Sequence, residues 1–504
     1  HALPFALKAA AQARKQYSLT AAEELLRIAD RGLTTTAYPE RHLVESGLAD
    51  VLMLQGRYDE ADPWFVRAQD SARSAIEKAS NSMKRGELEF KRGHKEKAVL
   101  FFEEAVHELG YRISSGRCYQ TMQLAGQVMT QVFHTLFPRW FVGRRSEFSE
   151  KDRLTCRIFS KLAHGYWYTR GKYRTFWAHF AGLNLAERHP PTLELAQAYS
   201  EHAPGMSLIP WHNRGIKYAR RSLDIREDLK DVWGQGQSRN FYSILLYSSS
   251  QFEGCIDQAQ QAESILVRTG DAWEMNIARY QWAASMYRMG ELEGALKLAK
   301  QTYESALEIG DFQSTGNILD IWARASLGQI PQEVIQRERA RSLRDHQGQC
   351  QVLLAEGVFF FYRGQYSRAG KCFTAAIKRA ERAGVVNTYI TPNYAWLATA
   401  LRMELENNPP RSQSARRRAT RRFLRAAKRA AKIARRFKNE LPHALRELGA
   451  AFALLGRPKR SKRLLQQSLA VAQQQKADYE VALTRQMLGA IGQELGWPGS
   501  EERL

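Results

Sequence analysis

Small, apolar and glycine positions recur along this chain at fixed offsets. In Gly364–Ala376, which reads GQYSRAGKCFTAA, the turn residue Gly364 is followed by Tyr366, Ala369, Phe373 and Ala376, and Gly357 stands seven residues before it. The same skeleton appears as Ala49, Gly56, Tyr58, Ala61, Phe65 and Ala68, then as Gly86, Gly93, Ala98, Phe102 and Ala105. It returns as Ala283, Gly290, Leu292, Ala295 and Ala299, and again as Gly449, Gly456, Ser461, Leu465 and Ser468. Gly171 with Tyr173 is a weaker copy, and Ser250 takes the glycine place before Phe252, Cys255, Ala259 and Ala262. The turn positions 250, 290, 328 and 364 lie 40, 38 and 36 residues apart. This pattern predicts helix-turn-helix units. Small residues let the two helices approach closely, and the large residue of the second helix fills the groove between them. Such a unit cannot bury its apolar face alone, so it stacks on its neighbours.

The remaining segments fit around this frame. Residues 1–37 read as an amphipathic helix pair. Between Phe90 and Tyr168 the skeleton blurs, and the aromatic, basic run FHTLFPRWFVGRR (Phe133 to Arg145) predicts an irregular or lengthened unit. The prolines of His189 to Arg214 predict a loop and a short helix, and NNPPRSQS (Asn407 to Ser414) predicts a surface loop. A closing helix over Ala477 to Leu495 is stopped by Gly496-Trp497-Pro498. The expected fold is all-α, a right-handed superhelical solenoid of about ten to twelve helix pairs. Residues 1–406 would form the repeat array and 407–414 a loop, with 415–504 a basic helix and terminal repeats continuing the array.

The order small, glycine, aromatic, small, large, small resembles the tetratricopeptide repeat (TPR). The period exceeds the 34 residues of that repeat and is similar to the longer variants in C-terminal arrays of bacterial STAND-class signal-transduction ATPases. The stretches RSLDIREDLKDVWGQGQSRNFYSILLY (Arg221 to Tyr247) and RTGDAWEMNIARYQWAASMYRMGEL (Arg268 to Leu292) resemble segments of large bacterial proteins. In those proteins a Ser/Thr-kinase or cyclase module and an AAA-type ATPase precede such an array. The resemblance implies a cytoplasmic, non-catalytic regulatory region that senses a protein or peptide and biases an attached ATPase or kinase module. The chain has no GxxxxGK[ST] phosphate loop and no kinase glycine loop, HRD or DFG segment, so any catalytic module is expected outside it. Its first residue is His1, and it is expected to be a piece of something longer.

Composition adds one anomaly. The chain has 504 residues, 44% hydrophobic, with mean hydropathy −0.48, and no apolar run is long enough for a membrane helix. Its net charge is +23, and the excess is not evenly spread. Arg411 to Lys438 holds thirteen Lys or Arg residues and no acid, while Ala419, Phe423, Ala426, Ala430, Ile433 and Phe437 keep helical spacing. Arg418, Arg421, Arg422, Arg425, Lys428, Arg429, Lys432, Arg435 and Arg436 form a candidate polyanion patch. Arg457, Lys459, Arg460, Lys462 and Arg463 would extend it from the next unit. Two readings stand: the solvated back of a repeat helix, or a surface over residues 416–438 that binds nucleic acid or another polyanion through salt-sensitive phosphate contacts.

Reactive chemistry is not visible in the sequence. Cys118, Cys156, Cys255, Cys350 and Cys372 are scattered and read as buried free thiols. The histidines have no metal-ligand spacing, so neither metal nor cofactor is expected. Gly234-Gln235-Gly236 lacks the strand-to-helix context of a dinucleotide loop. The aromatics Tyr166, Trp167, Tyr168, Tyr173, Phe176, Trp177 and Phe180 suit the seam between two packed helices, with a peptide pocket as the alternative. A stacked array would present an extended concave surface lined by the first helix of each pair. Arg279, Gln281, Arg288, Asn317 and Tyr362 are the candidate ligand-facing residues on it.

Overall fold

Each recurrent glycine turns the chain where a left-handed backbone is required. Gly56, Gly93, Gly171, Gly290, Gly364 and Gly456 have φ between +67° and +91°, and Ser250, in the glycine place, has φ +63°. The structure, a computed structural model, describes residues 2–16, 18–33, 40–113, 116–209, 211–341 and 345–497. Among them helix follows helix from Ala2–Lys15 to Asp478–Glu494, with no strand. The fold is the expected all-α solenoid, and most successive helices pack against each other.

The small positions do what their spacing implies. A Cβ built on Gly86 would stand 2.4 Å from the Phe102 ring, and one on Gly357 would stand 2.3 Å from the Phe373 ring. Phe65, Phe102, Phe373 and Leu465 are buried in the same register. A second recurrent link is polar. The Cys156, Cys255 and Cys350 thiols donate to the carbonyls of Gly182, Gln281 and Ala376, each 26 residues further on. Ser222 and Ser468 make the equivalent bond to Ala196 and Pro442, 26 residues back. These three cysteines are therefore small donors in helix seams, whereas Cys118 is exposed and Cys372 half-buried.

Burial separates two kinds of helix. Outer helices such as Tyr366–Ala383 and Gln413–Ala434 bury one stripe and expose the rest. Inner helices such as Val232–Ser248, His346–Phe361 and Leu441–Leu454 are buried almost all round, because the outer helix covers one side and the concave interior of the stack covers the other.

Two segments differ from the sequence expectation. The region after His189 is not a loop with a short helix but a full helix, Leu193–Ser207, capped by Thr192. Its buried stripe of Leu195, Ala196, Tyr199, Ala203 and Met206 outweighs the proline signal of Pro204. The irregular unit is Arg117–Leu136 followed by Pro138–Phe141, and its amphipathicity is reversed. Gln131 and His134 face inward, bonding Asn184 and Glu187, while Met122, Met129, Leu136 and Trp140 are exposed. Ala37, Pro210 and Pro498, used in the sequence reading, lie outside the described residues.

The stack also winds back on itself. Lys95 Nζ donates to Asp345 Oδ2 and Gln313 Oε1, both at 2.9 Å, and sits 3.7 Å from the centre of the Tyr168 ring. Asn439 bridges in the other half: its Nδ2 donates to the Tyr247 carbonyl at 2.9 Å and its Oδ1 accepts from Ser250 at 2.7 Å. Arg288, buried, pairs with Glu440 and lies 3.7 Å from Glu480. Residues some 150 to 250 positions apart are thus joined, and the concave face is drawn into a cavity.

Candidate functional site

The interior cavity has a volume of about 500 Å³, within the range of pockets that enclose small ligands. Inner helices from Arg41–Leu54 to His346–Phe361 contribute to its wall, joined by the loop around Tyr389 and by Phe437. Its apolar side includes Trp167, Phe176, Trp233, Phe241, Trp273 and Tyr389. Its polar side is rich in carboxamides: Gln197, Gln281, Gln313, Asn317, Gln347 and Gln351. An inner helix can carry these at core positions because its second side faces the cavity.

Most of the polar groups hold one another. Gln351 Nε2 donates to Tyr280 Oη at 2.9 Å and to the Asn317 carbonyl at 3.3 Å. Tyr389 Oη donates to Gln281 Oε1 at 3.2 Å, and the Tyr389 ring stacks on Tyr247 at 5.8 Å. Asn276 stands apart. It is fully buried, it lines the cavity, and neither its Nδ2 nor its Oδ1 has a hydrogen-bond partner. Asn317 Oδ1, also on the wall, is likewise unpartnered. A buried carboxamide without partners is destabilising unless something meets it.

The charged groups are few and tuned by burial. Glu274 is pushed up to about 7, first by burial and then by Asp271, although Gln237 and Asn240 donate to it at 3.0 and 2.7 Å. Lys161 is half-buried on the cavity wall; desolvation there would lower its pKa, but the Glu87 carboxylate at 2.9 Å holds it above the usual lysine value. Arg214 Nε donates to His202 Nε2 at 3.0 Å, and His202 Nδ1 lies 2.9 Å from His179 Nε2. Because arginine can only donate, His202 carries its proton on Nδ1 and passes a hydrogen bond to His179. Burial, foremost, keeps both rings neutral, with His179 lowered to about 4. Among the described residues no group of three His, Cys, Asp or Glu could hold a metal ion. No described helix is long and apolar enough to cross a membrane.

The candidate ligand-facing residues go to different places. Gln281 and Asn317 line the cavity. Arg279 turns outward and pairs with Glu263 at 2.8 Å. Arg288 is locked in the buried pair with Glu440, and Tyr362 is 39% exposed, packed against Gly328 and Trp396. The aromatic run divides: Tyr166 and Phe180 are buried in seams, Trp167, Tyr168 and Phe176 reach the cavity, and Tyr173 is 70% exposed. Asn276, Glu274 and Tyr389 were not among the sequence candidates. Periodicity could not find them, because a buried asparagine on an inner helix reads as a break in the apolar pattern. The basic residues lie on the opposite, outer surface. Arg418, Arg421, Arg422, Arg425, Lys428, Lys432 and Arg435 are exposed there without an ion pair. Arg429 pairs with Glu381, and Arg436 donates to the Leu208 carbonyl at 2.6 Å.

No family profile matches the chain, and no curated protein matches it. Solved structures do show similarity. A Rap protein complexed with competence and sporulation factor is 12% identical, with 85% of this chain and 100% of that one covered and a TM-score of 0.42. Aspartyl phosphate phosphatase F from Bacillus subtilis is 12% identical, covering 80% and 95%, with a TM-score of 0.36. A solved TPR domain is 11% identical, covering 97% and 99%, with a TM-score of 0.25. At these identities and scores the similarities carry no inference about what this chain binds.

Proposed function

We propose that this chain is a non-catalytic recognition array that holds an extended segment of polypeptide in its interior cavity. One observation carries the reading. Asn276 lies on the cavity wall with a donor and an acceptor that no protein group meets; both atoms are closed to solvent, so a ligand engages them by displacing the side chains in front. A peptide backbone presents both complements at each residue, N–H and C=O, without regard to sequence. The surrounding carboxamides of Gln313, Asn317 and Gln347 extend this lining, and the tryptophans offer flat apolar surface for side chains. The further role, regulation of an attached ATPase or kinase module, rests on the sequence resemblance of Arg221 to Tyr247 and Arg268 to Leu292 alone.

A panel of random ten-residue peptides displayed on phage tests the cavity. Enriched sequences should bind the purified chain, and Asn276→Leu should weaken them at least tenfold while Arg279→Ala leaves them unchanged. Enrichment of peptides indifferent to Asn276→Leu, or no enrichment at all, refutes the reading.

A further inference from the structure

The outer face of the C-terminal third is independent of the cavity. Three neighbouring outer helices carry the basic residues: Tyr366–Ala383, Gln413–Ala434 and Pro458–Gln474. The middle one is bridged to the first by Arg429 and Glu381, and the middle and third both pack on the inner helix Leu441–Leu454. The first contributes five Lys or Arg residues and one acid, Glu381. The segment Arg411 to Lys438 contributes thirteen, all exposed, and Arg457 to Arg463 contributes five, with no acid in either. Together they supply nearly all of the net charge of +23, so the rest of the chain is close to neutral. Among the described residues, only Arg429 of this set is in an ion pair.

Geometry makes a continuous ridge of the middle helix. At about 100° per residue, Arg417, Arg418, Arg421, Arg422, Lys428 and Lys432 all fall within about 80° of Arg425 around the axis. Phe423, Ala427, Ala430 and Ala434 occupy the opposite side and are buried. The helix is 22 residues long, about 33 Å at 1.5 Å per residue, which matches one turn of a nucleic-acid duplex.

We infer that this ridge binds the phosphate backbone of a nucleic-acid duplex, without reading its sequence. Charge complementarity is the first argument, since unpaired cations at this density self-repel and gain by displacing counterions from phosphates. Their identity is the second: most are arginine, whose planar fork donates two parallel hydrogen bonds to a phosphate. The absence of apolar anchors decides against the other polyanions. No large hydrophobic side chain is exposed on any of the three helices. A membrane-surface helix needs an apolar face to insert, and here that face is spent on the core. A specific protein interface is expected to have an apolar or aromatic centre.

The test uses the full chain and a 30-base-pair duplex of mixed sequence, as DNA and as RNA, followed by fluorescence polarisation. Binding should be present at 50 mM salt and about a hundredfold weaker at 200 mM, as for four or more phosphate contacts. It should be indifferent to scrambling of the sequence. The variant Arg421→Glu/Arg422→Glu/Arg425→Glu/Lys428→Glu should lose at least tenfold and show a shallower salt slope. The corresponding glutamine variant, less prone to misfold, should show a smaller loss in the same direction. Lys297→Glu/Lys300→Glu, which reverses two exposed charges on another outer helix, should bind as the parent does. Salt-independent binding, an undiminished quadruple variant, or preference at equal salt for phosphatidylserine vesicles or polyglutamate would overturn the inference. None of these outcomes alters the peptide selection on the cavity.

Discussion

Gly357→Ala isolates what the recurrent small residue does. The added Cβ would lie 2.3, 2.7 and 2.8 Å from three ring atoms of Phe373. That ring is fully buried, and it packs on Trp396, which in turn packs on Phe361 and His443. To make room, the ring must displace a chain of aromatics shared by three helix pairs. Overpacking of this kind costs about 1–3 kcal/mol, and three contacts below van der Waals distance place it toward the upper end. Alanine in a helix interior gains about 1 kcal/mol over glycine. The net effect should be a destabilisation of about 1–2 kcal/mol. Gly370→Ala, in the facing helix, is the matched control. Its Cβ would meet only Leu397 Cδ1, at 3.8 Å, which is ordinary contact. It should gain stability by about 0.5–1 kcal/mol from helix propensity alone.

The two variants therefore have opposite signs although both replace a mid-helix glycine by alanine. Urea midpoints give the comparison. Because a repeat array can unfold in stages, amide exchange over His346–Phe361 and Tyr366–Ala383 should be followed as well. In the double variant Gly357→Ala/Phe373→Leu, the ring is gone and part of the loss should return. If Gly357→Ala is as stable as Gly370→Ala, the seam relaxes freely, and close approach is not what the small positions encode.

Two further predictions address the closure and the buried histidines. Arg288→Met leaves Glu440 without a cationic partner among the described residues, since His443, 3.8 Å away, is held neutral by burial. Breaking a buried pair in this way costs about 3–5 kcal/mol, and amide protection should fall in Leu441–Leu454 and Asp478–Glu494 before it falls elsewhere; unchanged protection there would refute the closure role. His179 and His443 are held at about 4, foremost by burial, and return to 6.5 on unfolding. The unfolded chain then binds more protons between those values, so stability should drop as pH falls from 6.5 toward 4. His443→Gln should reduce the proton uptake on unfolding at pH 5 by about one, and an unchanged uptake would show that His443 is not held neutral. Glu274, raised to about 7 by burial and Asp271, acts in the opposite sense: its contribution is present below pH 4.5 and is lost as pH rises through 7.

The turns and outer helices were legible because their physics is local. A left-handed turn demands glycine or tolerates a small residue such as Ser250, and an outer helix has one apolar stripe, as in Ala369, Phe373, Ala376 and Ala380. The inner helices were less so. In Val232–Ser248 and Ala272–Met289, twelve of 17 and eleven of 18 residues are buried, on more than one face, and polar residues such as Asn240, Asn276 and Gln281 interrupt the apolar pattern. Proline misled at Pro204 because the breaker rule weighs one residue, whereas the helix around it buries nine. The reversed helix Arg117–Leu136 keeps a regular period, which records that one face differs from the other but not which face points inward. The cavity was the least legible feature, since it exists only after the stack has wound back on itself.

That winding changes how the array should behave. In an open solenoid each pair touches its neighbours only, and stability is a sum of local terms. Here Lys95 reaches Asp345, Asn439 holds both the Ser250 side chain and the Tyr247 carbonyl, and Glu480 stands beside Arg288. These bonds add long-range terms, so the loss of one terminal pair exposes buried charge on a pair five units away. The cavity inherits the same dependence. Tyr389 reaches its wall from the later repeats, yet it stacks on Tyr247 and bonds Gln281 of the earlier ones. A ligand lodged against Asn276 and Tyr389 would therefore touch both turns at once, and its binding energy would add directly to the bonds that keep the stack closed.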